Sequence, residues 1–151
     1  MATLVLVHGG WCWQKVIPLL EAASHAVYAP TLTGLAERAS ELSPEVGLET
    51  HIQDIVGLLQ DKDLPGVILV GHSYGGMVIT GVVDAVPERI AHLIYLDTFV
   101  PHDGEAMEDI SPRLIRLLLR RHTQADGWRI DSHGTYGVTR EPDRRWVQRD
   151  R

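Results

Sequence analysis

The stretch Val67-Ile-Leu-Val-Gly-His-Ser-Tyr-Gly-Gly-Met77 decides how this chain is read. Four apolar residues, three of them β-branched, run unbroken into Gly71. Such a run is the pattern of a strand buried on both faces. A polar His72-Ser73-Tyr74 follows, closed by Gly75 and Gly76, and a helical pattern then continues to Val86, where Pro87 stops it. A strand that turns sharply into a helix exposes the residue at the turn above the sheet. Ser73 sits at that turn on strained backbone. Gly71 and Gly75 keep side chains out where strand and helix pass closely. The serine hydroxyl then lies near a helix amino end, whose dipole favours developing negative charge. Ser73 is the candidate nucleophile.

Working outward, the chain alternates. Ala2–Val7 reads as a buried strand, Gln14–Ala23 as a helix with Val16, Ile17, Leu19, Leu20 and Ala23 at helical spacing, and His25–Pro30 as a second strand. Thr31–Gly47 carries turn residues and no period, so a long loop with a helical turn is expected. Leu48–Gln60 reads as a second helix, Gly66–Gly71 as the third strand, Gly76–Val86 as the third helix and Ala91–Asp97 as the fourth strand. This is the succession of an α/β fold, a mostly parallel sheet flanked by helices. Right-handed crossovers put every loop that follows a strand at one sheet edge, where ligands bind. His8-Gly9-Gly10, Ser73 and Asp97 are therefore expected near one another. After Val100 the pattern changes. Ser111-Pro112 reads as a helix start, Arg113–Arg121 as an amphipathic helix, and from Thr123 onward no fifth strand is visible.

Composition narrows the class. The 151 residues suffice for one domain, and 44% are hydrophobic, so a packed core is expected rather than a disordered tail. A net charge of -6 disfavours nucleic acid and anionic membrane surfaces as partners. No apolar run reaches the roughly 18 residues of a membrane span. The single cysteine, Cys12, forms no intrachain disulfide, and with no signal-peptide pattern at the start a cytoplasmic setting is expected. No His, Cys or carboxylate cluster has metal-ligand spacing, so no metal is expected.

Acyl transfer needs two N–H groups aimed at the carbonyl oxygen as it becomes negative. One is expected from Tyr74, directly after Ser73. The second is expected from Gly10, in the His8-Gly9-Gly10-Trp11 turn after the first strand. Gly9 and Trp11 are candidate substrate contacts, and ordinary packing accounts for Trp11 and Trp13 equally well.

The segments "LVLVHGGWCW", "LLEAASHAVYAPTLTGLA", "VILVGHSYGGM", "ERIAHLIYLDTFVP" and "DGWRIDSHGTYGV" resemble an α/β-hydrolase. They are most similar to small bacterial esterases related to plant methyl esterases and hydroxynitrile lyases. The resemblance implies a cofactor-free serine hydrolase of small esters. It implies a core over residues 1–100, then a lid and tail over 101–151, and the strand order second, first, third, fourth. It also implies an acid and a base after two further strands, so the chain reads as C-terminally truncated. Relatives often carry a longer loop between the first "HG" and "WCW".

Within the chain the proton acceptor is open. His72 is expected to pack behind the turn and His8 to brace its own loop. His25, His51 and His92 are accounted for by surface or packing roles. His102 lies after the fourth strand, and His122 and His133 lie in the expected lid. Asp97 is a weak candidate acid, and the order Ser73, Asp97, then His102 or His133 matches the usual succession for this fold. Two functions follow: a serine esterase acting on a small-molecule ester through an acyl-enzyme at Ser73, incomplete and of little activity alone, or a non-catalytic binder of small ligands. A hydroxynitrile lyase is a minor third. Ala91–Asp97, apolar and without Lys or Pro, is expected to be an open edge through which chains self-associate.

Overall fold

In the computed structural model, which describes residues 1–110 and the strands 129–131 and 145–147, the alternation becomes a parallel sheet. β1 (Thr3–Val7), β2 (Ala26–Tyr28), β3 (Val67–Ser73) and β4 (Ile90–Thr98) lie in the order β2-β1-β3-β4. Every neighbouring pair is parallel. The chain moves outward from β1 to β2, then returns to β3 on the other side of β1. The order reverses between β1 and β3, and in such sheets the crevice opens at the carboxyl ends of those strands. Val7 stands opposite Gly71 there, so the turns after each strand are neighbours.

Successive side chains of a strand point to opposite faces, and both faces of β1 and β3 are covered. Val5, Val7, Val67 and Leu69 pack with α2 (Leu48–Asp61) and α3 (Gly75–Ala85) through Ile55, Leu59, Val78, Ile79 and Val82. Leu4, Leu6, Val70 and Trp13 form a smaller cluster on the other face, with Ile17 and Leu20 of α1 (Ile17–Ala22) against it. Trp13 is thus part of this core.

Two expectations change. The first helix is shorter, because Gly10–Trp13 forms a separate 3-10 turn. Less than two turns of α1 remain. They put Ile17 and Leu20, three residues apart, on the sheet and leave Leu19 71% exposed. The helical turn expected within Thr31–Gly47 is a 3-10 helix, Ala36–Glu41, and the stretch buries Leu32, Leu35 and Val46. Finally, strands do follow Thr123: β5 (Arg129–Asp131) pairs antiparallel with β6 (Arg145–Val147). Three residues are too few for an alternation to be read from sequence, and the pairing itself defines them. Between β4 and β5 stands a short helix, α4 (Met107–Ile110). The helix expected at Arg113–Arg121 lies outside the described residues, as does most of the expected lid, with His122 and His133. Among the described residues, no helix is long and apolar enough to cross a membrane.

Candidate functional site

The turn between β3 and α3 has the conformation its sequence demands. Ser73 has φ +51°, in the left-handed region that a side-chain-bearing residue occupies at a cost. Tyr74 returns to helical angles and Gly75 begins α3. The reversal is tight enough that a Cβ on Gly75 would collide with the Val7 carbonyl oxygen, and one on Gly71 would lie 2.7 Å from the Gly75 oxygen. Glycine at these places lets β1, β3 and α3 meet backbone to backbone.

The end of β4 holds this turn from the side. His72 is opposite Leu96, but Ser73 is opposite Thr98, so Asp97 is an extra, bulged residue with φ +44°. The bulge carries Thr98 and Phe99 to the Ser73 carbonyl oxygen, which accepts hydrogen bonds from the Thr98 hydroxyl and from the Phe99 N–H at 3.2 Å.

Across the crevice, Gly10 is the first residue of its 3-10 turn, and a turn of this kind leaves its first N–H groups without intrahelical acceptors. A Cβ on Gly10 would lie 2.8 Å from the Ala29 carbonyl oxygen, so the loop rests on the end of β2. The Trp11 ring lies over Gly9, where it would meet any Cβ. Cys12 closes the loop, its N–H and its thiol both reaching the Gly9 carbonyl at 3.1 Å. Gly10 stands in the turn after β1 and Tyr74 in the turn after β3, at the same edge of the sheet as the strained Ser73. Such a set of groups is suited to an attacking hydroxyl and a developing oxyanion.

The histidines are arranged differently. His72 donates from Nδ1 to the Leu96 carbonyl at 2.9 Å and packs edge-on against Trp13. Its ring centroid is 5.1 Å from that of His8. Burial, and then the neighbouring His72, lower the His8 pKa to about 3, which makes it a poor proton acceptor at neutral pH. The backbone N–H of His102 donates to Glu105. Asp97 is exposed, and among the described residues no hydrogen bond joins it to His102 or joins any histidine to Ser73.

Two residues were not foreseen as part of this neighbourhood. Thr98 had no signal in the sequence, because its role depends on the bulge. His51, expected to have a surface or packing role, is buried beside Tyr74 and bonded to it. A polar residue flanked by buried Ile52 and three positions from Asp54 on an amphipathic helix was the available sign.

Residues 4–151 match the Alpha/beta hydrolase family. The chain belongs to that family. Its fold class is the one read from the alternation, and its relatives include esterases. One is a carbendazim hydrolyzing esterase from Nocardioides sp. (strain SG-4G), 47% identical over 76% of this chain and 49% of the relative. Another is methylesterase 4 of Arabidopsis thaliana, 33% identical over 87% of this chain and 49% of its own length. Among solved structures, an extracellular alpha/beta-hydrolase from a Paenibacillus species superimposes with a TM-score of 0.76. It is 31% identical, with 86% of this chain and 55% of that one covered. The chain therefore spans about half the length of the curated relatives it matches.

Proposed function

We propose that this alpha/beta hydrolase chain carries the nucleophile half of a serine esterase for small esters. The observation that carries the reading is the left-handed Ser73 at the junction of a buried strand and a helix start. Strain of about 1–3 kcal/mol persists only where surrounding contacts impose it, and it gathers at functional turns. In this reading the Ser73 oxygen attacks the ester carbonyl carbon. The carbonyl π-electrons move to oxygen, and the amides of Tyr74 and Gly10 stabilise that charge. The alcohol leaves, and water then hydrolyses the acyl-serine. The serine proton needs an acceptor; the His72 and His51 rings are bonded to other groups and His8 is too weakly basic. Slow turnover is therefore expected: the oxyanion hole and binding alone retain about 10³–10⁴ over water.

The test is hydrolysis of p-nitrophenyl acetate and butyrate by the parent and by Ser73→Ala. The expected result is a rate that depends on Ser73, with kcat below roughly 1 s⁻¹, the lower end of the enzymatic range. Equal rates from the two proteins would remove Ser73 as nucleophile. The absence of a histidine bonded to Ser73 among the described residues favours a second reading, a small-ligand binder. It is supported if the rates are equal and calorimetry still detects ester binding.

A further inference from the structure

Burying an imidazole is costly unless both ring nitrogens are bonded. His51, in the first turns of α2, is 1% exposed and has two partners. Its Nε2 lies 2.9 Å from the Thr33 carbonyl oxygen and its Nδ1 lies 2.9 Å from the Tyr74 hydroxyl. A carbonyl only accepts, so Nε2 must carry the hydrogen. A neutral imidazole then has Nδ1 bare, and the Tyr74 hydroxyl must donate to it. Burial holds His51 below the usual imidazole range, which keeps that neutral form. The polarity of the whole contact is thus set by one carbonyl.

Thr33 is in turn held on every polar group. Its N–H donates to Asp54 at 2.7 Å and its hydroxyl to the other Asp54 oxygen at 2.8 Å. Arg38 donates to the same carboxylate at 3.0 Å. His51 and Asp54, three apart on α2, therefore clamp Thr33 from one helix face. The clamp ends at Tyr74, the residue whose amide flanks Ser73.

We propose that His51 is a positioning residue, which fixes the Tyr74 side chain and through it the direction of the Tyr74 N–H. The proposal rests on the reading of Ser73 as nucleophile. Tyr74 is tied at its hydroxyl, 2.9 Å from Nδ1 of the buried His51, and at its backbone between Ser73 and α3. A rotation of the Ser73–Tyr74 peptide that carries the Tyr74 Cα with it would displace the ring and strain the hydroxyl bond. The bond therefore opposes the motion that would turn the amide away from a developing oxyanion. Its effect belongs in kcat rather than KM, because the charge exists only in the transition state.

Three variants separate positioning from simple support. Tyr74→Phe keeps the ring and removes the donor. His51→Asn places an amide oxygen where Nδ1 was, so it preserves an acceptor for Tyr74. His51→Gln reaches towards Thr33 and offers Tyr74 nothing. Each is measured on p-nitrophenyl acetate against its own Ser73→Ala double variant, well below its unfolding temperature. Expected is a fall of about tenfold in Ser73-dependent kcat for Tyr74→Phe and His51→Gln, the loss of one hydrogen bond. KM should stay within about twofold, and His51→Asn should lie closer to the parent. Nitrogen-15 spectra of the parent imidazoles should show His51 with a protonated Nε2 and a bare Nδ1. Unchanged kcat in Tyr74→Phe, or a protonated Nδ1 in neutral His51, overturns the proposal. A parent no faster than Ser73→Ala fails the nucleophile reading itself, a result distinct from these two.

Discussion

Ser73 is held where its own backbone would not go. A left-handed conformation costs an L-residue roughly 1–2 kcal/mol and costs glycine almost nothing. The Thr98 hydroxyl and the Phe99 N–H, both on the Ser73 carbonyl, help to impose it. Ser73→Gly should therefore be more stable than Ser73→Ala by about 1 kcal/mol in urea unfolding, while neither has a hydroxyl for chemistry. Equal midpoints for the two variants would mean that the turn stores no strain. The turn was legible in the sequence because Gly71, Ser73 and Gly75 are close together and their spacing has one steric meaning. The role of Asp97 was not. Its φ of +44° comes from a bulge, and a bulge is a mismatch between two strands rather than a property of one.

The elements differ in how well they are covered. β3 lies between β1 and β4, whereas β4 pairs with β3 along one edge only among the described residues. Ile94 and Leu96 are 44% and 49% exposed. Between Ala91 and Asp97 there is no Lys or Pro and the one carboxylate, Asp97, stands at the strand end, so little in the strand repels a second copy. Two β4 edges related by a two-fold axis can pair antiparallel and cover these side chains. We expect the chain to self-associate at tens of micromolar, the range in which open edges commonly aggregate. Sedimentation across a concentration series should show it, and Ile94→Lys should weaken it. A parent that stays monomeric at those concentrations sinks the idea. The apolar run of β4 was readable in advance. The exposure of Leu19 on α1 was not, since it follows from how few turns remain after the Gly10–Trp13 turn.

For the molecule as a whole, pH couples to folding through His8 and His51, the two histidines held low among the described residues. Unfolded imidazoles titrate near pH 6.5. Above that, His8 and His51 are neutral in both states and their contribution to stability is complete. As pH falls below it, the unfolded chain binds protons that the native state refuses, so stability drops. For His8 the loss continues until the folded group titrates at about 3. The denaturation midpoint should therefore fall between pH 7.5 and 5.5, above the range in which most carboxylates titrate. The fall should be smaller in His8→Asn; an identical fall in that variant would show that His8 is not responsible.

Local signals settled the succession of β1 to β4 and of the helices between them, the alternation of the parallel sheet and the glycine-bounded serine turn. Each is written within about ten residues, as a period or as a steric requirement on one backbone turn. Folding decided the rest: the Thr98 and Phe99 contacts with Ser73, the His51–Tyr74 bond and the depressed His8. These join groups far apart in the chain, or depend on burial that no short window contains. Thr98 and Ser73 are 25 residues apart and His51 and Tyr74 are 23 apart, and they meet only because the crossovers return their elements to neighbouring places.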